Sequence, residues 1–207
     1  MDELELLKKD WKKQEEGLPK LSYDEIYRMI LKKSSSIVKW IFVISILEFI
    51  LWASIDVIAR LSGKYQEAET LGMENFFMIS TIISYGVLVY FIVRFYLNYR
   101  KIKVTDSAKV LMQNILNTRK TVKYYVWINL TVIGLLIIST TLYMLFFSNE
   151  LADSLDGKEV PVGLIIVAAI VMAIIFVGFL ALIYRLIYGI LTRRLKQNYK
   201  ELQKLEV

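Results

Sequence analysis

Four apolar stretches, separated by segments of sharply unequal charge, dictate that this chain folds as an all-α membrane protein. Uncharged runs cover residues 75–93, 124–149 and 160–184, which is 19, 26 and 25 residues. At about 1.5 Å of rise per residue each crosses a hydrocarbon core of roughly 30 Å, the first only narrowly. A fourth stretch, 37–58, carries Lys39, Glu48 and Asp56 but is otherwise equally apolar. A water-soluble domain disperses its apolar residues, whereas here a 56% hydrophobic content is gathered into blocks. Transmembrane helices are predicted at about 37–58, 76–96, 124–147 and 162–188, a four-helix bundle over 37–188.

The charges orient the bundle. Lys and Arg number 8 in residues 1–36, 7 in 97–123 and 5 in 189–207, against 2 in 59–75 and 1 in 148–161. By the positive-inside rule both termini and the middle loop are cytoplasmic, which in a bacterium places the protein in the inner membrane. The basic pI of 9.3 then reflects topology and attraction to anionic lipid headgroups rather than binding of nucleic acid.

The cytoplasmic segments are patterned as amphipathic helices. In residues 1–36, Leu4, Leu7 and Trp11 recur at helical spacing among lysines, and Gly17 and Pro19 end that segment. A second helix starts at Ser22, where Ser22-Tyr-Asp-Glu25 fits a capping box flanked by Leu21 and Ile26. Asp106 is a candidate cap for a helix over about 106–120, with Ala108, Leu111, Met112 and Ile115 on one face. In the C-terminal helix, 189–207, Leu191, Leu195, Asn198, Leu202 and Leu205 continue a seam from Tyr188 at steps of three and four. That seam suits the N-terminal helix or a second copy of the chain; the alternative is a last span that overruns the membrane with a solvated charged tail. The first and third spans also share a basic-then-aromatic entry, Lys32 to Trp40 and Arg119 to Trp127, as two parallel hairpins would.

Little in the sequence points to catalysis. The chain has neither cysteine nor histidine, which removes thiol nucleophiles, imidazole bases and the commonest transition-metal ligands. No phosphate-binding loop or paired acidic motif is present, so a non-enzymatic protein without a cofactor is expected. The sharpest position is Glu48, 11 residues into the first span and about 16 Å deep on that count. An ionisable group there costs on the order of 3 kcal/mol unless it faces protein or water. Ser45, Glu48, Trp52 and Asp56 share one helical face, which turns that face inward. Ser45, Ser84 and Asn129 are candidate companions in a proton or cation site; the alternative is a carboxyl satisfied structurally by Ser80, Ser84, Tyr85 or Asn129.

The stretches Leu7-Lys-Lys-Asp-Trp-Lys-Lys-Gln14, Leu18-Pro-Lys-Leu-Ser22, Lys33-Ser-Ser-Ser-Ile-Val-Lys-Trp40 and Thr105-Asp-Ser107 carry a resemblance that covers most of the chain. It resembles a group of small, uncharacterised bacterial four-helix membrane proteins, which implies the same fold and brings no activity. Two functions of different class fit the residues. One is a scaffold or regulatory protein whose basic cytoplasmic helices dock a partner, with Leu4, Leu7 and Trp11 as the docking face. The other is a small transporter or channel subunit that uses Glu48.

Overall fold

A computed structural model of the chain describes residues 5, 8, 22–63, 73–105, 107–147 and 161–205. Leu4, Leu7, Trp11 and Asp106, singled out above, lie outside the described residues. Four helices make up the fold: α1 (Tyr23–Leu61), α2 (Glu74–Lys103), α3 (Ala108–Phe147) and α4 (Val162–Leu205). All four are long and apolar enough to cross a membrane. They run alternately up and down, and each packs chiefly on its sequence neighbours while α4 closes the ring against α1. Ser22 and Leu205 therefore lie at one end of the bundle, called here the terminal end.

Local chemistry sets the helix boundaries. The Ser22 side chain accepts from the Glu25 backbone N–H, and the Glu25 carboxylate accepts from the backbone N–H of Ser22 at 2.8 Å, a complete capping box at the start of α1. Helix α1 then runs unbroken through Lys32, Lys33 and the serines at 34–36 into its apolar half. It stops where Gly63, at φ 76°, takes the left-handed conformation that a side chain disfavours and donates to the Arg60 carbonyl. Pro161 sits ahead of α4, where its missing N–H costs nothing, and its carbonyl accepts from Leu164 at 2.8 Å. Residues 108–120 form the first turns of α3 itself rather than a separate helix, and 189–205 are the last turns of α4.

The corner between α2 and α3 is held by Thr105. Its hydroxyl donates to the Lys101 carbonyl at 2.6 Å and accepts from Asn114 Nδ2 at 3.1 Å. Its carbonyl accepts from the Tyr27 hydroxyl of α1 at 3.1 Å, so three helices meet there.

Burial is uneven along the bundle. Leu111, Ile115, Leu195, Leu202 and Ile102 are completely buried at the terminal end, beyond the uncharged parts of their helices. There water surrounds the helices under the reading of the charges, and full burial of each such side chain is favourable by about 1.5–3 kcal/mol. The C-terminal seam is therefore satisfied within the chain. In the apolar belt the pattern inverts: Ile82, Leu135 and Ile174 point outward and are 64%, 59% and 67% exposed. Outward-facing aliphatics on every helix are what a lipid environment accepts and water does not.

Candidate functional site

At the boundary between the closely packed terminal layer and the apolar belt, Glu48 projects from α1 into the middle of the bundle. Its Oε2 accepts hydrogen bonds from the hydroxyl of Tyr125, on the diagonally opposite α3, and from that of Tyr188 on α4 at 3.3 Å. Its Oε1 accepts from Tyr184, one turn earlier on α4. A carboxylate has about four acceptor positions, so three phenols fill most of them without any cation. Arg94 and Arg185 are exposed, and among the described residues neither forms an ion pair with Glu48.

Aromatic packing fixes the donors. Tyr125 is completely buried, with the rings of Phe91 and Phe95 from α2 and Tyr188 from α4 at centroid distances of 5.3, 5.3 and 5.5 Å, all near edge-to-face. That arrangement favours contact between a positive ring edge and a negative face, and it leaves the Tyr125 hydroxyl one direction to point. Tyr184 and Tyr188 share a face because they are four residues apart, and that face is the start of the seam that continues through Leu195, Asn198 and Leu202.

The cluster revises the depth of Glu48. Tyr125 opens the uncharged run of α3 and Tyr184 closes that of α4. The carboxyl that both reach therefore lies toward the terminal end of the apolar belt, not midway through it. Counting from Ile37 misleads because α1 has no boundary there: Ile37, Val38 and Ile41 are buried against the other helices as part of the terminal layer.

The companions proposed from sequence are placed differently. Ser45 is buried one turn before Glu48, but its hydroxyl donates to the Phe42 carbonyl at 2.7 Å. Asn129 donates to the Tyr125 carbonyl at 2.9 Å, bracing the backbone of the tyrosine rather than touching the carboxylate. Ser84 lines a cavity of about 390 Å³ beyond Trp52, walled by α1, α2 and α3 with Phe176 of α4. Ser80, Thr81, Asn129, Thr140 and Asp56 give that cavity polar patches in an otherwise apolar wall. Sequence alone does not single out the three phenols, because tyrosines at the ends of apolar runs have the signature of interfacial anchors. The available signal was the spacing of Tyr184 and Tyr188 on the seam.

A second polar pair crosses the terminal layer. Asn198 Nδ2 of α4 donates to Ser34 Oγ of α1 at 2.9 Å, with both residues completely buried. No group of three or more acidic residues capable of holding a metal ion occurs among the described residues.

No curated protein and no solved structure matches the chain. A family model does, over residues 24–207, which takes in nearly the whole four-helix bundle. The chain belongs to the family described as a domain of unknown function, DUF8845.

Proposed function

We propose that this protein is a non-enzymatic scaffold or regulatory protein of the bacterial inner membrane, with both termini in the cytoplasm. On this reading the terminal layer of the bundle is a preformed basic surface that docks another protein. The observation that carries it is the contrast in packing. The terminal layer has a closed core and three-helix hydrogen bonding at Thr105, while Lys101, Lys109 and Lys200 stand exposed on its outside. A surface that is rigid before binding loses little entropy on binding, and clustered positive charge speeds encounter with an acidic partner. The Glu48–tyrosine cluster ties α1 to α3 and α4 where this layer enters the bilayer. Affinity capture of the full chain from gently solubilised membranes tests the reading. A defined partner should co-purify with the native protein and be lost from the Lys101→Glu, Lys109→Glu, Lys200→Glu variant at unchanged helix content. Equal recovery from both would contradict it.

The polar-patched cavity beyond Trp52 favours a second reading, in which a small solute or proton reaches Glu48 from the far side. Proteoliposomes with native protein should then show a flux that Glu48→Gln abolishes; the docking reading expects no flux from either.

A further inference from the structure

The basic-then-aromatic entry of the third span has no role in the docking surface, yet it converges with α4 on one groove. Arg119, Lys123 and Trp127 follow one another at intervals of four and so form a single stripe on α3. Opposite them, Arg185 and Thr192 of α4 complete a cavity of about 330 Å³ whose inner wall is Tyr188. Three cations thus face one small space. Like charges at this spacing repel, and among the described residues no carboxylate forms an ion pair with any of them. The Nε of Arg119 is buried and has no hydrogen-bond partner, a state that costs free energy unless something absent from the chain accepts from it.

The order of residues along the groove identifies what would. Arg119 and Lys123 lie toward the terminal end, while Val126, Trp127 and Ala181 continue it into the apolar belt. Trp127 is 64% exposed although it adjoins a fully buried core, the placement of a tryptophan at a headgroup boundary. A ligand that fits this order has an oxyanion at one end and hydrocarbon at the other. The entry of the first span repeats it: Lys32, Lys33 and Arg194 lie with Trp40 around a groove on the other flank of α4.

We infer that the α3–α4 groove binds an anionic phospholipid, its phosphate held by Arg119, Lys123 and Arg185 and its acyl chain lying along Trp127. A guanidinium pair grips phosphate through directed N–H donors, and Lys123 adds a point charge. Because Tyr188 and Tyr184 wall the same groove and donate to Glu48, the bound lipid sits directly behind the cluster that joins the helices. The inference rests on the helices crossing a bilayer and not on the docking of a partner.

Native mass spectrometry of the full chain in detergent, titrated with phosphatidylglycerol or phosphatidylcholine, tests it. One phosphatidylglycerol should be retained at a lipid concentration at least tenfold lower than phosphatidylcholine requires. Arg185→Gln, at an exposed position that the fold does not need, should remove most of that preference, and Arg119→Gln with Arg185→Gln should abolish it. The Lys101→Gln, Lys204→Gln variant makes the same charge change elsewhere on the layer and should keep it. Millimolar inorganic phosphate should leave the lipid bound. An equal loss in the two double variants would reduce the effect to net charge and overturn the site, and displacement by inorganic phosphate would overturn a lipid as its occupant. Lipid selectivity retained in a protein that captures no partner would contradict the docking function alone.

Discussion

Asn198 and Ser34, 164 positions apart in sequence, form a buried hydrogen bond of 2.9 Å that joins the last helix to the first. The amide's acceptor oxygen, Oδ1, is buried without a partner among the described residues. A buried amide on an otherwise leucine-rich seam stabilises little and specifies much, because its Nδ2 reaches Ser34 in one register only.

That relationship predicts an asymmetry in stability. Asn198→Ala strands the Ser34 hydroxyl and should destabilise the bundle by about 1–3 kcal/mol. The double variant Asn198→Leu, Ser34→Ala removes both polar groups and should be as stable as the native protein or more so. Reversible unfolding in mixed micelles compares them, and a double variant weaker than Asn198→Ala would show that the pair is not the element that sets stability there.

The carboxylate cluster predicts a ranking among tyrosines. Replacement by phenylalanine keeps each ring and removes one donor to Glu48, so Tyr125→Phe and Tyr184→Phe should each cost about 1.5–3 kcal/mol. Tyr188, whose hydroxyl stands off at 3.3 Å, should cost less, about 1 kcal/mol. Glu48→Gln retains an acceptor oxygen and should keep the fold. The same unfolding measurement checks the order, and a Tyr188→Phe loss exceeding the other two would refute the geometry.

How far these features could be read from sequence differs from residue to residue. The four helices follow from uncharged runs, and the start of α1 from Ser22 and Glu25, because length, hydropathy and capping are local properties. Glu48 was conspicuous for the same reason, since the cost of a carboxylate in an apolar helix needs no knowledge of its neighbours. Its partners depend on which helix ends meet, and a phenol at the edge of an apolar run has the same sequence signature whether it faces lipid headgroups or a buried acid. From sequence, Lys32, Lys33 and the serines at 34–36 allow α1 either to run on or to bend, and the choice depends on Asn198 of α4, which is brought against Ser34. Likewise the Leu195 and Leu202 seam was evident as a pattern, while its occupant could equally have been a second copy.

Topology is open to a clean labelling test because the chain has no cysteine. Single substitutions Ser62→Cys and Lys200→Cys lie at opposite ends of the bundle, both exposed. In intact cells an impermeant maleimide should label residue 62 and should reach residue 200 only after the membrane is opened. Labelling of residue 200 in intact cells would reverse the orientation and with it the cytoplasmic assignment of the basic layer.

The most direct test of the docking function is photocrosslinking within the membrane from a probe at Lys200, on the basic layer, compared with one at Ile82, exposed on the apolar belt. The docking account predicts a discrete protein adduct from residue 200 that disappears when Lys101 and Lys109 are changed to glutamate, with lipid adducts alone from residue 82. An unmodified chain at residue 200, or an adduct indifferent to those charges, would contradict it.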